Sequence, residues 1–261
     1  MPRNDKLAVA TLFQGGHTVT RSKGELTLRS MPRWNISPGS RLLADVSLWS
    51  ADLGNLQSAV ERLSPYADSF HLDVADAHFA GDLLFFPDLV AALRPHTELP
   101  FHVHLMVEEP SKMVDRFAEA GANLITVHCE LPEAEVSCAI GRIRYLGIAA
   151  GIAVRLETPV EAVAGYVELL DAVLLLGTEL GVKGKDLSPD ACSRIARLSS
   201  LLQRSSQRAR VVIIADGGIR KNTVPLLREA GADAIVPGSL VFQAGDAASI
   251  FDWIHSLGVT T

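Results

Sequence analysis

From about residue 41 the chain alternates short apolar runs with longer amphipathic stretches. The runs are RLLADVS, SFHLDV, PFHVHLM, ANLITVH, AAGIAV, DAVLLLG, RVVIIA and ADAIVP. Each is followed by a segment whose apolar spacing suits a helix, near 52–64, 85–94, 110–120, 132–145, 158–168, 188–203, 220–229 and 246–256. Strand–helix alternation of this kind implies a parallel sheet. Runs that are apolar almost throughout imply a sheet whose outer face is covered by helices. Eight similar units predict one closed (β/α)8 TIM barrel, an α/β fold that usually takes about 250 residues. A doubly wound open sheet is the alternative. Ala120-Gly121-Ala122 and Ala230-Gly231-Ala232 recur just before strands, where glycine suits the end of the preceding helix.

Residues 1–40 fall outside the eight units and read as an N-terminal extension. Their GlyGly, SerLysGly and SerProGly turns suggest a short hairpin or an ordered arm. Residues 41–261 read as the barrel and catalytic domain, with no linker or low-complexity segment dividing them.

Composition narrows the functional classes. The chain has 261 residues, 48% hydrophobic and 21% charged, which is enough apolar material for a large core. A net charge of −6 gives no basic footprint, so nucleic acid is not an expected partner. Cys129, Cys138 and Cys192 are odd in number and form no CxxC pair, which argues against a disulfide scaffold or a cysteine zinc site and fits reduced thiols in the cytoplasm. No apolar run reaches the roughly 18 residues of a membrane span, so no membrane partner is expected. The early LAVATLF stretch is interrupted by Gln14 and two glycines, unlike the core of a secretory signal.

The active site of a (β/α)8 barrel lies at the C-terminal ends of its strands, so polar residues there carry the chemistry. The second run contains His71 and Asp73, two apart and therefore on one side of the strand. The third contains His102 and His104, again sharing a side, and the seventh ends in Asp216. Any one of these alone reads as a hydrogen-bonded core group or a cap. Four of them converging on a barrel mouth would be costly without a counter-ion. His71, Asp73, His104 and Asp216 are therefore a candidate centre for a divalent metal or a catalytic dyad, with ligands that suit zinc, manganese or iron. Gly217 and Gly218 close the seventh strand and Gly238 with Ser239 the eighth, the common phosphate site of this fold. The segment Gly177–Lys185, with Gly181 and Gly184, reads as a loop able to close over a ligand.

Read together, these stretches resemble the ribulose-phosphate 3-epimerases and related ketose-phosphate 3-epimerases, such as those acting on allulose 6-phosphate. The resemblance runs in order over about residues 41–255. It is carried by Ser47-Leu48-Trp49-Ser50-Ala51-Asp52, by His71-Leu72-Asp73-Val74 with Asp76 and His78-Phe79, and by His104-Leu105-Met106-Val107. Further on it is carried by Ile125-Thr126-Val127-His128, Ala215-Asp216-Gly217-Gly218-Ile219, and Ala230-Gly231-Ala232 through Gly238-Ser239. It implies a metal-dependent epimerase that inverts C3 of a ketose phosphate of the ribulose/xylulose 5-phosphate type, by proton transfer through an enediolate. It also implies the roles. His71, Asp73, His104 and Asp216 would hold one divalent ion, zinc by preference, with iron, manganese or cobalt fitting the same donors. Asp73 and Asp216 would be the two acid/base carboxylates. Ser47 would bind substrate or orient Asp73, and His104 would also face the substrate. Gly217, Gly218, Gly238 and Ser239 would take the phosphate, with Gly181 and Gly184 in the closing loop. A sugar phosphate is the implied partner, in a homo-oligomer.

The sequence departs from the family pattern at Ala75-Asp76-Ala77, where Met-Asp-Gly is usual, and at Arg155-Leu156-Glu157-Thr158 after the fifth strand. It departs again at Leu180-Gly181-Val182-Lys183-Gly184-Lys185, and at His102, where an acidic residue is common. The catalytic groups are kept while walls and lid differ, so a different sugar phosphate, or a tetrulose phosphate, is the alternative substrate. Arg155 is a candidate for contacting an anionic group. An isomerase or aldolase on the same site, and a non-catalytic sugar-phosphate-binding barrel, are the further alternatives.

Overall fold

The computed structural model describes residues 34–258 and, before them, the backbone of three short strands at 13–14, 17–22 and 25–30. Those strands pair antiparallel in a sheet of their own, so a hairpin does precede the barrel. The GlyGly turn and part of the SerLysGly turn lie outside the described residues.

Eight parallel strands follow: β1 (Leu43–Ser47), β2 (Ser69–Ala75), β3 (Phe101–Met106), β4 (Leu124–His128), β5 (Ala149–Val154), β6 (Ala172–Leu176), β7 (Val212–Asp216) and β8 (Ala234–Val236). The sheet closes because β8 pairs with β1, Ala234 opposite Leu43 and Ile235 opposite Ala44. Beyond that register the Ser47 amide donates to the Pro237 carbonyl at 3.1 Å. The closed barrel excludes the open-sheet alternative.

The helices are α1 (Leu56–Leu63), α2 (Pro87–Leu93), α3 (Val114–Glu119), α4 (Glu133–Tyr145), α5 (Ala191–Arg204), α6 (Val224–Glu229), α7 (Ser239–Phe242) and α8 (Ala247–Ser256). Local chemistry sets their ends. Asp246 caps α8 by accepting from the Ala248 amide, and Pro87 stands at the start of α2, where no amide is needed. The buried stripe of α5, Ile195, Leu198, Leu201 and Leu202, has the spacing of one helical face. One expected helix is absent: residues 158–168 form only two 3-10 turns, Val160–Val163 and Val167–Leu169. Gly165 between them is a poor helix former, and β-branched Val160, Val163 and Val167 add little propensity. Arg194 on α5 braces that stretch, donating to the carbonyls of Arg155, Leu156 and Thr158 at 2.6–2.8 Å.

Alternation along each strand sends one set of side chains outward under the helices and the other into the barrel. Outward residues such as Leu42, Val46, Leu72, Val103 and Ile213 join the main core. The inward set divides. Leu174, Leu176, Val212, Ile214, Ala234 and Val236 form an aliphatic filling, against which Trp34 and Ile36 pack from the chain leading into β1. Asp45, Ser47, Ser69, His71, Asp73, His102, His104, Thr126 and His128 are also buried, and all come from β1 to β4.

Candidate active site

A cavity of about 700 Å³ opens at the C-terminal ends of the strands. Ser47, Asp73, His104, Gly181, Gly184, Asp216, Gly217, Gly218, Gly238 and Ser239 all line it. His71 lies directly beneath, fully buried. One ligand atom from each of His71, Asp73, His104 and Asp216 lies within 4.8 Å of the others, so the four side chains expected to share an ion do meet.

Hydrogen-bond chemistry fixes what these groups offer. A carboxylate only accepts, so a ring nitrogen facing one carries the hydrogen. His71 Nδ1 lies 3.0 Å from Asp45 Oδ2 and donates to it, which leaves His71 Nε2 as a lone pair, 3.1 Å from Asp73 Oδ1. His128 Nδ1 likewise donates to Glu130 Oε2 at 2.9 Å, so its Nε2 accepts from His104 Nε2 at 2.9 Å. His104 Nδ1 is then a lone pair too, 3.3 Å from the same Asp73 oxygen. With both imidazoles neutral, three acceptor atoms converge with no hydrogen between them. Such a cluster is unfavourable in a buried site unless a cation sits among them, and neutral imidazole plus carboxylate is the donor set that zinc and its neighbours prefer. The residues present therefore fit a divalent metal.

The charges are arranged asymmetrically. Burial opposes ionisation of Asp73, but His71, then His104, outweigh it and hold its carboxyl well below the usual range. Asp216 stands across the cavity on β7, where burial and the charge of Asp73 push it up to about 6 against the pull of His71 and His104. Burial disfavours a charged His71, yet Asp73 and Asp45 raise it well above an ordinary histidine, so a proton on Nε2 can stand in for the cation. Burial holds His128 down to about 4, leaving it neutral. Ser47 Oγ donates to Asp73 Oδ2 at 3.2 Å, which is the orienting contact expected of it.

The cavity wall formed by the loops after β7 and β8, where a phosphate was expected, is built largely from backbone. Gly217 and Gly218 both adopt left-handed conformations, φ 87° and 68°. A Cβ on Gly218 would stand 2.6 Å from Leu187 Cα, so only glycine fits there. Among the described residues no acceptor takes the amide of Gly218, Gly238 or Ser239. Arg220, which the motif reading did not single out, lines the same end and reaches Ser239 Oγ at 3.5 Å. Opposite, Lys183 from the loop after β6 lies over the Trp49 ring, 4.3 Å from its centre, and donates to the Trp49 carbonyl at 2.6 Å. Arg155 does not face the cavity. Its guanidinium stacks 4.0 Å from the Phe79 ring centre and donates to the Phe79 carbonyl, bracing the loop after β2. Asp76 is structural as well, accepting from the amides of His78, Phe79 and Glu108.

Sequence reasoning missed Asp45, Glu130 and the role of His128. Asp45 and Ser47 are two apart on β1, the same spacing that singled out His71 and Asp73, and that signal could have found Asp45.

Fold and site together define a (β/α)8 barrel with a buried carboxylate–imidazole cluster and a glycine-rich wall at its mouth. A sequence profile described as "Ribulose-phosphate 3 epimerase family" matches residues 43–242. The ribulose-phosphate 3-epimerase of Bacillus subtilis (strain 168) is 36% identical over 203 residues, covering 77% of this chain and 92% of that protein. The ribulose-phosphate 3-epimerase of Schizosaccharomyces pombe is 36% identical over 214 residues, covering 80% and 91%. The chain belongs to the ribulose-phosphate 3-epimerase family, and so to the carbohydrate epimerases. The crystal structure of 3-keto-L-gulonate-6-phosphate decarboxylase from Vibrio cholerae superposes with a TM-score of 0.63 at 15% identity, covering 84% of this chain and 97% of that one, a likeness of fold alone. Among the described residues no helix is long and apolar enough to cross a membrane.

Proposed function

We propose that the protein is a metal-dependent epimerase that inverts C3 of a ketose phosphate of the ribulose/xylulose 5-phosphate type. The observation that carries this is geometric: Asp73 from β2 and Asp216 from β7 enter one cavity, each with a ligand atom within 4.8 Å of those of His71 and His104, while their metal-free surroundings hold Asp73 low and raise Asp216. Two carboxyls driven apart by their surroundings are the mark of an assigned base and acid.

A divalent ion held by His71, Asp73, His104 and Asp216 would supply Lewis acidity, lowering the cost of the charge that develops when a hydrogen beside a carbonyl is removed. Everything else is done by the chain. Asp73 takes the C3 hydrogen as a proton from one face; the electron pair of that C–H bond becomes a C2–C3 double bond as the carbonyl π pair moves onto oxygen. Asp216 delivers its proton to C3 from the opposite face and the carbonyl re-forms, so configuration inverts and no redox partner is consumed. Afterwards Asp73 carries the proton and Asp216 is ionised. Exchange with solvent resets them, and the reverse reaction uses the same groups with roles exchanged. Ser47 holds Asp73 in place. The amides of Gly217, Gly218, Gly238 and Ser239 take the phosphate, and the loop carrying Gly181 and Gly184 covers the sugar and excludes water.

Zinc is the proposed ion from ligand type. The three free cysteines fit a reducing compartment such as the cytoplasm. A homo-oligomer, with residues 1–40 as an extension outside the catalytic barrel, completes the reading, and sedimentation of full-length and shortened chains tests it. Lys183, seated over Trp49 at the cavity wall, favours a second reading for the substrate alone: a sugar phosphate other than ribulose 5-phosphate. Purified protein stripped with a chelator and reloaded with zinc, iron, manganese or cobalt should epimerise a ketose phosphate only when reloaded. Best turnover on ribulose or xylulose 5-phosphate would support the first substrate, and best turnover on another ketose phosphate the second. Full turnover after stripping would remove the metal from the account.

A further inference from the structure

Beneath the proposed metal site lies a second buried group that the reaction does not use. Asp45 is 1% exposed, His71 and His102 not at all. Asp45 Oδ2 sits 3.0 Å from His71 Nδ1 and 2.6 Å from His102 Nδ1, and Asp45 Oδ1 accepts from Ser69 Oγ at 2.6 Å. His102 Nε2 accepts from Thr126 Oγ1 at 2.7 Å.

These residues could be mistaken for a second ion site, since their ligand atoms cluster closely. The distances decide against it. Donors bound to one zinc at about 2.1 Å, at near-tetrahedral angles, lie about 3.4 Å apart. The 2.6 Å between Asp45 and His102 leaves no room for an ion between them, and is the length of a charge-assisted hydrogen bond. Both imidazoles donate from Nδ1 to the same carboxylate oxygen, so the 3.1 Å between the two Nδ1 atoms is a contact of two donors, with no bond between them.

A carboxylate sealed in a barrel interior is expensive to desolvate, and here every neighbour is arranged to hold it at one place. Resting on the metal-site reading above, we infer that Asp45 is a positioning residue for the metal. It locks His71 in the tautomer and ring orientation that aim Nε2 into the ligand cluster, with His102, Thr126 and Ser69 as its clamp. A carboxylate behind a metal-bound histidine typically tightens the ion by about 10- to 100-fold.

The geometry also supplies a rescue. The Nδ1 of a histidine and the Oδ1 of an aspartate are both attached to Cγ, so Asp at position 102 would bring an oxygen near the present Nδ1 of His102, about 3 Å from His71 Nδ1. The test measures the zinc dissociation constant by chelator competition, alongside thermal unfolding of the metal-free protein. Asp45→Asn, which keeps the shape, should bind zinc about tenfold more weakly with the metal-free melting temperature little changed. Asp45→Ala should weaken binding by 10- to 100-fold, and Asp45→Ala combined with His102→Asp should recover most of the loss. Wild-type affinity in Asp45→Asn, or no recovery in the double variant, would overturn the inference while leaving the metal site standing. A wild-type protein that binds no zinc, iron, manganese or cobalt would overturn both.

Discussion

The two halves of the barrel interior obey different rules. From β6 to β8 the inward residues are those of an ordinary packed core: Leu174, Leu176, Val212, Ile214, Ala234 and Val236. From β1 to β4 they include Asp45, Ser47, Ser69, His71, Asp73, His102, His104, Thr126 and His128, buried and tied to one another. The aliphatic half needs no explanation beyond burial. The polar half would fold more cheaply as leucine and valine, so its cost points to function. Asp216 is the exception that connects them, a carboxylate from the aliphatic side facing the network across the cavity. That placement explains why it is raised to about 6 while Asp73, flanked by imidazoles, is depressed.

If the halves divide labour in this way, substitutions should separate chemistry from stability. Asp216→Asn should lower kcat by about 10³-fold or more, in the range of a lost acid/base group, with a melting temperature close to wild type. Near-normal turnover would take Asp216 out of the reaction. Asp73→Asn should lose bound metal as well as activity, which elemental analysis and assay of one preparation would show together. On the other side, Ile214→Ala should cost about 2–5 kcal/mol in urea unfolding while metal content stays at one ion per chain. A variant that loses metal without losing stability would break the comparison.

Acid should reveal the polar half selectively. Burial opposes ionisation of Glu130, but His128 and the Arg155 amide hold it down to about 2 from an ordinary 4.5. Its pKa is lower in the folded chain than in the unfolded one, so its stabilisation is complete above about pH 4.5 and is lost as the pH falls toward 2. Urea midpoints of the metal-free protein should drop across that window, and less steeply in Glu130→Gln. The smallest effect on turnover concerns the glycine wall: Gly218→Ala should raise KM for the phosphorylated substrate several-fold, and it should also lower stability, because the added methyl meets the Leu187 backbone and the left-handed conformation is strained.

Much of this was legible in the chain. Eight apolar runs with period-2 polar residues at their ends are enough to place His71, Asp73, His104 and Asp216 on inward faces, because alternation in a strand is nearly rigid. The weak points were those where local pattern and tertiary context disagree. Residues 158–168 carry helical apolar spacing, but Gly165 and three valines leave it as 3-10 turns. Asp45 is hard to read from the chain because it stands as a single acid in an apolar run, with its partners 26 and 57 residues away. His102 becomes intelligible beside it: its Nδ1 donates to Asp45 at 2.6 Å, so the acid that faces the third strand comes from the first. Arg155 misled for the opposite reason, since a cation at a strand end invites a ligand while the Phe79 ring and carbonyl already occupy it.

The most direct measurement is the reaction run in deuterium oxide, followed by NMR of the recovered ketose phosphates. Proton transfer between two carboxylates that exchange with solvent predicts deuterium at C3 of the epimerised product and at no other carbon. Epimerisation with the C3 hydrogen fully retained, or label at a different carbon, would contradict the roles given to Asp73 and Asp216.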